Sequence, residues 1–132
     1  EFIYICPAPE TLQYRMRFFY EGLFARINDP NADILDTPAW IIKAFCDIHP
    51  FDDGNGRVAR TLACNLIRDK MHINFTKAEI RDFGMDPNYK DITSRMNTVP
   101  ESVAINGIKG WLSVICDNKL KSQNRPFSKL KF

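Results

Sequence analysis

No two cysteines of this chain stand at C-x-x-C spacing. Its four, Cys6, Cys46, Cys64 and Cys116, therefore give no zinc or thioredoxin-like signature. Three of them sit in apolar helical runs, "AFCDI", "LACNLI" and "SVICD", and read as small buried thiols of a reducing compartment. Nor is there an excess of one charge: 18 basic and 16 acidic side chains leave a net +2. That balance argues against general nucleic-acid binding, and no basic stripe interleaved with aromatics runs through the body of the chain. No apolar run is long enough to cross a bilayer, and no signal peptide opens the sequence. Internal repeats and low-complexity segments are also missing.

What is present is an ordinary globular composition, 45% hydrophobic and 26% charged over 132 residues, enough for a single domain spanning 1–132. The chain opens at Glu1 without a methionine and is read as a piece of something longer. "EFIYIC", residues 1–6, is short, rich in β-branched and aromatic residues, and stops at prolines, as one strand of a hairpin does. Glu10 to Ala25 reads as a helix with Leu12, Met16, Phe19 and Leu23 on one face. After a loop dense in Asn, Asp and Pro, a helix from Pro38 to about Ile48 is expected, capped by Asp36 or Thr37. A helix from about Arg57 to Asp69 follows, with Val58, Leu62, Leu66 and Ile67 facing inward. Beyond "HINF", "TKAEIRDF" reads as one or two helical turns. "DPNYKDITSRMN" reads as a helix begun through Asp86-Pro87. A last helix starts at Pro100 and is weakened, or split, by Gly107 and Gly110. Basic residues thicken in the tail 119–132, which reads as a solvated tail or a last helix turn favoured by the dipole.

The junction between the second and third helices, "HPFDDGNGRVAR" (49–60), carries the chemistry. Gly54 and Gly56 free the backbone to aim successive N–H groups into one concavity. The helix beginning near Arg57 points its free N–H groups and positive dipole end at the same place. Arg57 stands at that mouth and Arg60 one turn on, so two guanidinium groups can converge there. Such a cup suits a polyanion. Asp53 beside it would repel phosphate unless a divalent cation lay between them, and Mg2+ is the natural choice. His49 can take a proton near neutral pH. Each feature alone has an ordinary explanation: D-G and N-G form turns, and the arginines could pair with Asp52 and Asp53. Their joint order and spacing weaken that explanation.

The twelve residues also resemble the signature of the Fic family, H-x-F-x-[DE]-G-N-G-R-x-x-R, at every specified position. "AWIIKAFCDI" is similar to the helix that leads into that motif and "TLACNLIRDKM" to the buried helix after it. The resemblance implies an all-α, mainly helical Fic fold with a small β-hairpin flap near the N-terminus. It implies transfer of AMP from ATP to the Ser, Thr or Tyr hydroxyl of a target protein. On that resemblance His49 is the catalytic base and Phe51 points into the core and fixes the loop. Asp53 holds Mg2+ on the α- and β-phosphates. Asn55 and the backbone of Gly54 and Gly56 hold the α-phosphate, while Arg57 and Arg60 contact the β- and γ-phosphates. Phe2, Ile3, Tyr4 and Ile5 form the second strand of the flap, which docks the target by strand addition. Asp52 occupies an unspecified position and receives no role.

Family members that phosphorylate carry Lys where this chain has Gly56, and those that transfer phosphocholine depart at Gly54. Neither departure occurs here, which favours AMP; UMP stays open, since the motif reads phosphates. The family's inhibitory helix carries S/T-x-x-x-E-G/N. Glu21-Gly22 is preceded four positions earlier by Arg17, and Glu101 is followed by Ser102, so no complete inhibitory helix is expected within these residues; one could lie upstream or act in trans. No nucleic-acid or membrane partner is expected, and the setting is a cytoplasm, its own or that of a host cell entered by a secreted effector. The alternative from another class is a non-catalytic module that binds a nucleotide or a protein. A helix-turn-helix DNA binder fits poorly, because its turn would carry Asp52 and Asp53.

Overall fold

A computed structural model of the chain describes residues 8–124. The expected flap strand 1–6, with Phe2, Ile3, Tyr4, Ile5 and Cys6, lies outside the described residues, as does the tail from residue 125. Among the described residues all regular structure is helical. A 3₁₀ turn at Pro9–Thr11 leads into α1 (Leu12–Ile27), then α2 (Asp36–Ile48), α3 (Asn55–Met71), α4 (Lys77–Phe83), α5 (Pro87–Arg95) and α6 (Glu101–Ser122).

Helix α2 is the axis of the fold. Nine of its thirteen residues are buried, far more than a one-sided stripe, because α1, α3 and α6 all pack on it. Phe19 of α1 stacks on Trp40 at 5.4 Å and meets Phe45 edge-on at 5.5 Å. Gly22 makes room for Trp40: a Cβ on Gly22 would come within 2.9 Å of Trp40 Cζ2. Even Lys43 is buried on α2, where its ammonium pairs with Asp47 and donates to Asn97 Oδ1 at 2.9 Å. Deep in the core, Ile42, Ile67, Met71, Ile73, Ile108, Leu112 and Leu120 exclude water almost completely. Burial of each such aliphatic side chain contributes about 1.5–3 kcal/mol.

Several expectations are corrected by this packing. Helix α2 starts at Asp36, so neither Asp36 nor Thr37 caps it; Pro38 lies within its first turn, where a missing N–H is harmless. The preceding turn is closed by Asp33 instead, whose Oδ1 accepts the Leu35 N–H at 3.1 Å. In α3 the most buried residues are Ala59, Ala63, Cys64, Ile67 and Met71, while Val58, Leu62 and Leu66 are half-buried. Val58, Leu62 and Leu66 pack against the core at its margin, as expected of inward-facing residues, while the alanines fill its centre. Helix α6 runs unbroken through Gly107 and Gly110. Its buried Ala104, Ile108, Trp111, Leu112, Ile115 and Cys116 recur at helical spacing, and that continuous apolar stripe outweighs two weak helix formers.

The remaining corner is tied by caps. Thr76 and Glu79 form a reciprocal capping box at the start of α4. Glu79 also accepts from Lys119 of α6 at 2.7 Å. Burial alone would raise the Glu79 carboxyl, but the Lys119 and Thr76 hydrogen bonds outweigh it and leave it below its ordinary 4.5. Asp86 caps α5 as expected, accepting from the N–H groups of Asn88 and Tyr89. Its other oxygen accepts from Trp111 Nε1 at 3.3 Å. Cys46, Cys64 and Cys116 are free thiols. Burial pushes Cys46 up to about 11 and Cys64 and Cys116 up to about 12, so all three are protonated and inert at neutral pH. No described helix is long and apolar enough to cross a membrane.

Candidate active site

The 49–60 stretch forms the joint between α2 and α3, as expected. His49 ends α2 in the left-handed conformation, φ 53° and ψ 56°, and its N–H donates to the Phe45 carbonyl at 3.1 Å. That conformation breaks the helix, and Pro50 keeps it broken. The histidine is half-buried at the lip of the loop.

Gly54 is the second turning point. It precedes α3 with φ 82°, a backbone that L side chains rarely adopt, so glycine is the residue for the position. No side chain caps α3. Its first intrahelical bond runs from the Val58 N–H to the Gly54 carbonyl at 3.0 Å, which leaves the amides of Asn55, Gly56 and Arg57 ahead of the helix ladder. These amides and the helix dipole face the loop, an arrangement suited to an anion.

Asn55 closes the loop between the two turning points. Its Oδ1 accepts the Phe51 N–H at 2.9 Å, and its Nδ2 donates to the Phe51 carbonyl at 2.8 Å. Only 6% of this side chain's residue surface is exposed, and its amide is committed to the Phe51 backbone. In this structure the Asn55 side chain braces the loop through Phe51, and a phosphate contact from it would have to be made beside or in place of those two bonds.

Phe51 is a correction. It was expected to point into the core, yet 51% of it is exposed, and its ring meets the core only at its edge, 6.2 Å from that of buried Phe45. The reversal at His49-Pro50 swings this residue outward, and Asn55 holds it by its backbone rather than its ring. Position 51 supports the loop through main-chain bonds.

The charges at the rim remain unpaired with one another. Asp52 and Asp53 are exposed, and among the described residues no ion pair joins either to Arg57 or Arg60. Asp53 turns Oδ1 onto the Gly54 N–H at 2.8 Å, and no bond among the described residues engages its other oxygen. No group of three or more His, Cys, Asp or Glu side chains that could hold a metal occurs among the described residues. One carboxylate oxygen beside an anion cup fits Mg2+ carried largely by phosphates and water, and does not fit a metal caged by protein alone. Arg57 is exposed, and its guanidinium folds back over Gly54.

Arg60 departs from the sequence picture. It does not swing out beside Arg57 but reaches across to the α4–α5 corner. There its Nη1 donates to Tyr89 Oη at 3.3 Å and its Cζ lies 5.2 Å from the Tyr89 ring centre. Gly84 and Tyr89 were not singled out from sequence: 24 and 29 positions separate them from Arg60, and no local pattern couples them. Glu21, in the incomplete inhibitory pattern, makes no ion pair with Arg60 among the described residues.

Comparison with known proteins agrees with this geometry. The family model described as Fic/DOC family matches residues 2–67, half of the chain, and so includes the whole joint. A Fido domain-containing protein of Dictyostelium discoideum is 62% identical over 63 residues, which cover 45% of this chain and 41% of that protein. The chain thus spans less than half the length of that curated relative. No solved structure matches the chain. A joint with a left-handed glycine, an uncapped helix start and a histidine at its lip, inside a family match over half the sequence, places this chain in the Fic/DOC family.

Proposed function

We propose that the chain is a protein adenylyltransferase, moving AMP from ATP onto a Ser, Thr or Tyr hydroxyl of another protein. The observation that carries this reading is the α3 start: three helix amides ahead of the ladder, no side-chain cap, and rim charges that do not neutralise one another. Such a cup favours a polyanion over an uncharged ligand, and family membership supports a group-transfer role for it.

In this reading the main-chain N–H groups of Asn55 and Gly56, in the turn that Gly54 opens, hold the α-phosphate and Arg57 the β-phosphate. Arg60 addresses the γ-phosphate. Asp53 would hold Mg2+, which when bound neutralises phosphate charge. His49 takes the proton of the target hydroxyl as its oxygen attacks the α-phosphorus. One P–O bond forms, the bond from the α-phosphorus to the bridging oxygen breaks, and pyrophosphate leaves with the electron pair. Phosphoryl-type transfer depends chiefly on positioning and charge neutralisation, which the joint's parts are suited to supply. Residues Phe2 to Ile5 would pair edge-on with the target's backbone and bring its hydroxyl to His49. A cytoplasmic setting, native or host, goes with three free, unreactive thiols.

The test is incubation of the protein with Mg2+-ATP and a panel of proteins, followed by mass spectrometry. Added AMP on a hydroxyl side chain supports the proposal; added UMP from UTP alone would change the donor. Saturable nucleotide binding with no incorporation, with the flap and target both present, would sink it in favour of a non-catalytic binding module.

A further inference from the structure

The Arg60 guanidinium lies in a slot made by three residues. A Cβ on Gly56 would come within 2.9 Å of its Nη1, and a Cβ on Gly84 within 2.6 Å of its Nη2 and 2.9 Å of its Cζ. Tyr89 supplies the third wall, its ring 5.2 Å from Cζ and its hydroxyl accepting from Nη1. Arg60 Nε is buried and makes no hydrogen bond. No carboxylate pairs with Arg60 among the described residues.

The chemistry of this slot is specific. A carboxylate would fix an arginine just as well, but it would neutralise the charge and would have to be displaced before phosphate could bind. Two glycines and a phenol fix the guanidinium by shape, by cation–π attraction and by one neutral hydrogen bond, and leave its charge to an incoming anion. Tyr89 is itself anchored. Its N–H and that of Asn88 are held by Asp86, Asp86 also accepts from Trp111 Nε1, and the Tyr89 and Trp111 rings lie 4.7 Å apart. Gly84 has φ −64°, which alanine adopts without strain, so only the space it leaves is special. Gly84 caps the end of α4 and Tyr89 lies in α5, beyond the residues that the family model matches.

We infer that Gly84 and Tyr89 are positioning residues that preset Arg60 for the outermost phosphate of a nucleoside triphosphate. The inference rests on the nucleotide reading above and deepens it: the α4–α5 corner selects tri- over diphosphate. Ordering a long arginine before binding removes an entropy cost that the nucleotide would otherwise meet.

The experiment measures Mg2+-ATP and Mg2+-ADP affinities by calorimetry on the 132-residue chain and on Tyr89→Phe, Tyr89→Leu and Gly84→Ala. The Arg60 Hε resonance is followed by NMR in each. Tyr89→Leu and Gly84→Ala are expected to weaken ATP about tenfold with ADP unchanged, and to shift the Arg60 resonance. Tyr89→Phe, which keeps the ring and removes one neutral hydrogen bond, costs ATP only about two- to fourfold. ATP and ADP weakening together, or an Arg60 resonance unmoved in both larger variants while ATP still binds the parent, overturns the inference and leaves the nucleotide reading standing. A parent chain that binds neither nucleotide overturns both.

Discussion

The two ends of α2 make opposite use of charge. At its N-terminal end Lys109 of α6 lies 2.9 Å from both Asp33 and Asp36. The Leu35 amide and then Lys109 hold Asp33 below its ordinary 3.8, while Asp36 and Asp33 hold Lys109 above 10.5. At the C-terminal end Asp53 and Arg57 lie close in sequence and make no ion pair. A cavity of about 890 Å³, lined by Arg26, Leu35, Leu66, Lys70 and Lys109 among others, belongs to the first end. The proposed function uses the second end. Charges that already satisfy one another hold a fold together, whereas charges held apart by a glycine turn keep their capacity to pair with an incoming ion.

Breaking the C-terminal end should give the largest effects. His49→Ala is expected to lower transfer about 10²–10⁴-fold while ATP affinity stays within a few-fold, read by labelled-ATP incorporation beside calorimetry. Retained transfer would remove His49 as the base. Asn55→Ala comes next, because it removes the partner of both the part-buried N–H and C=O of Phe51. A loss of about 1–3 kcal/mol is expected in denaturant unfolding, together with weakened nucleotide binding as the loop opens. If stability and affinity both hold, Asn55 is not the brace.

Lys109→Met sharpens the contrast from the other side. Both of its partners are substantially exposed, so a loss of only about 0–1 kcal/mol is expected, with ATP affinity unchanged. A large loss of nucleotide binding would transfer the site to the wrong end of α2. The smallest effect is a pH dependence. Asp33 and Glu79 have lowered folded values, so their contribution is complete above their ordinary 3.8 and 4.5. It is lost as pH falls through the lower folded values. Stability should therefore decline on the acid side below about pH 4.5, and Lys109→Met should reduce the part that comes from Asp33 while the Leu35 amide keeps the rest. An acid limb identical in parent and variant would show that the Lys109 bridge contributes nothing.

Where the helices lie was legible because apolar spacing and stop signals are local. Asp86-Pro87 started α5, and His49-Pro50 ended α2. Boundaries drifted by a few residues where the closing group was not the one the pattern favoured, as at Asp33. The inward face of α3 was legible at Ile67 and, at the margin of the core, at Val58, Leu62 and Leu66; Ala59 and Ala63 at its centre were not marked by hydrophobicity. Of the site, the glycine turn, the uncapped helix start and the histidine at the lip were readable from twelve contiguous residues. The exposure of Phe51 and the commitment of Asn55 were not, since both depend on how the loop closes on itself.

By itself, then, the sequence determined a helical chain with a glycine turn and an uncapped helix start at one joint, because turn chemistry, helix polarity and residue order are properties of neighbours along the backbone. Tertiary structure alone decided which charges are neutralised and where Arg60 rests. Those outcomes depend on α4, α5 and α6 folding back onto α2 and α3, and contacts across 24 or more residues leave no periodic trace in the sequence.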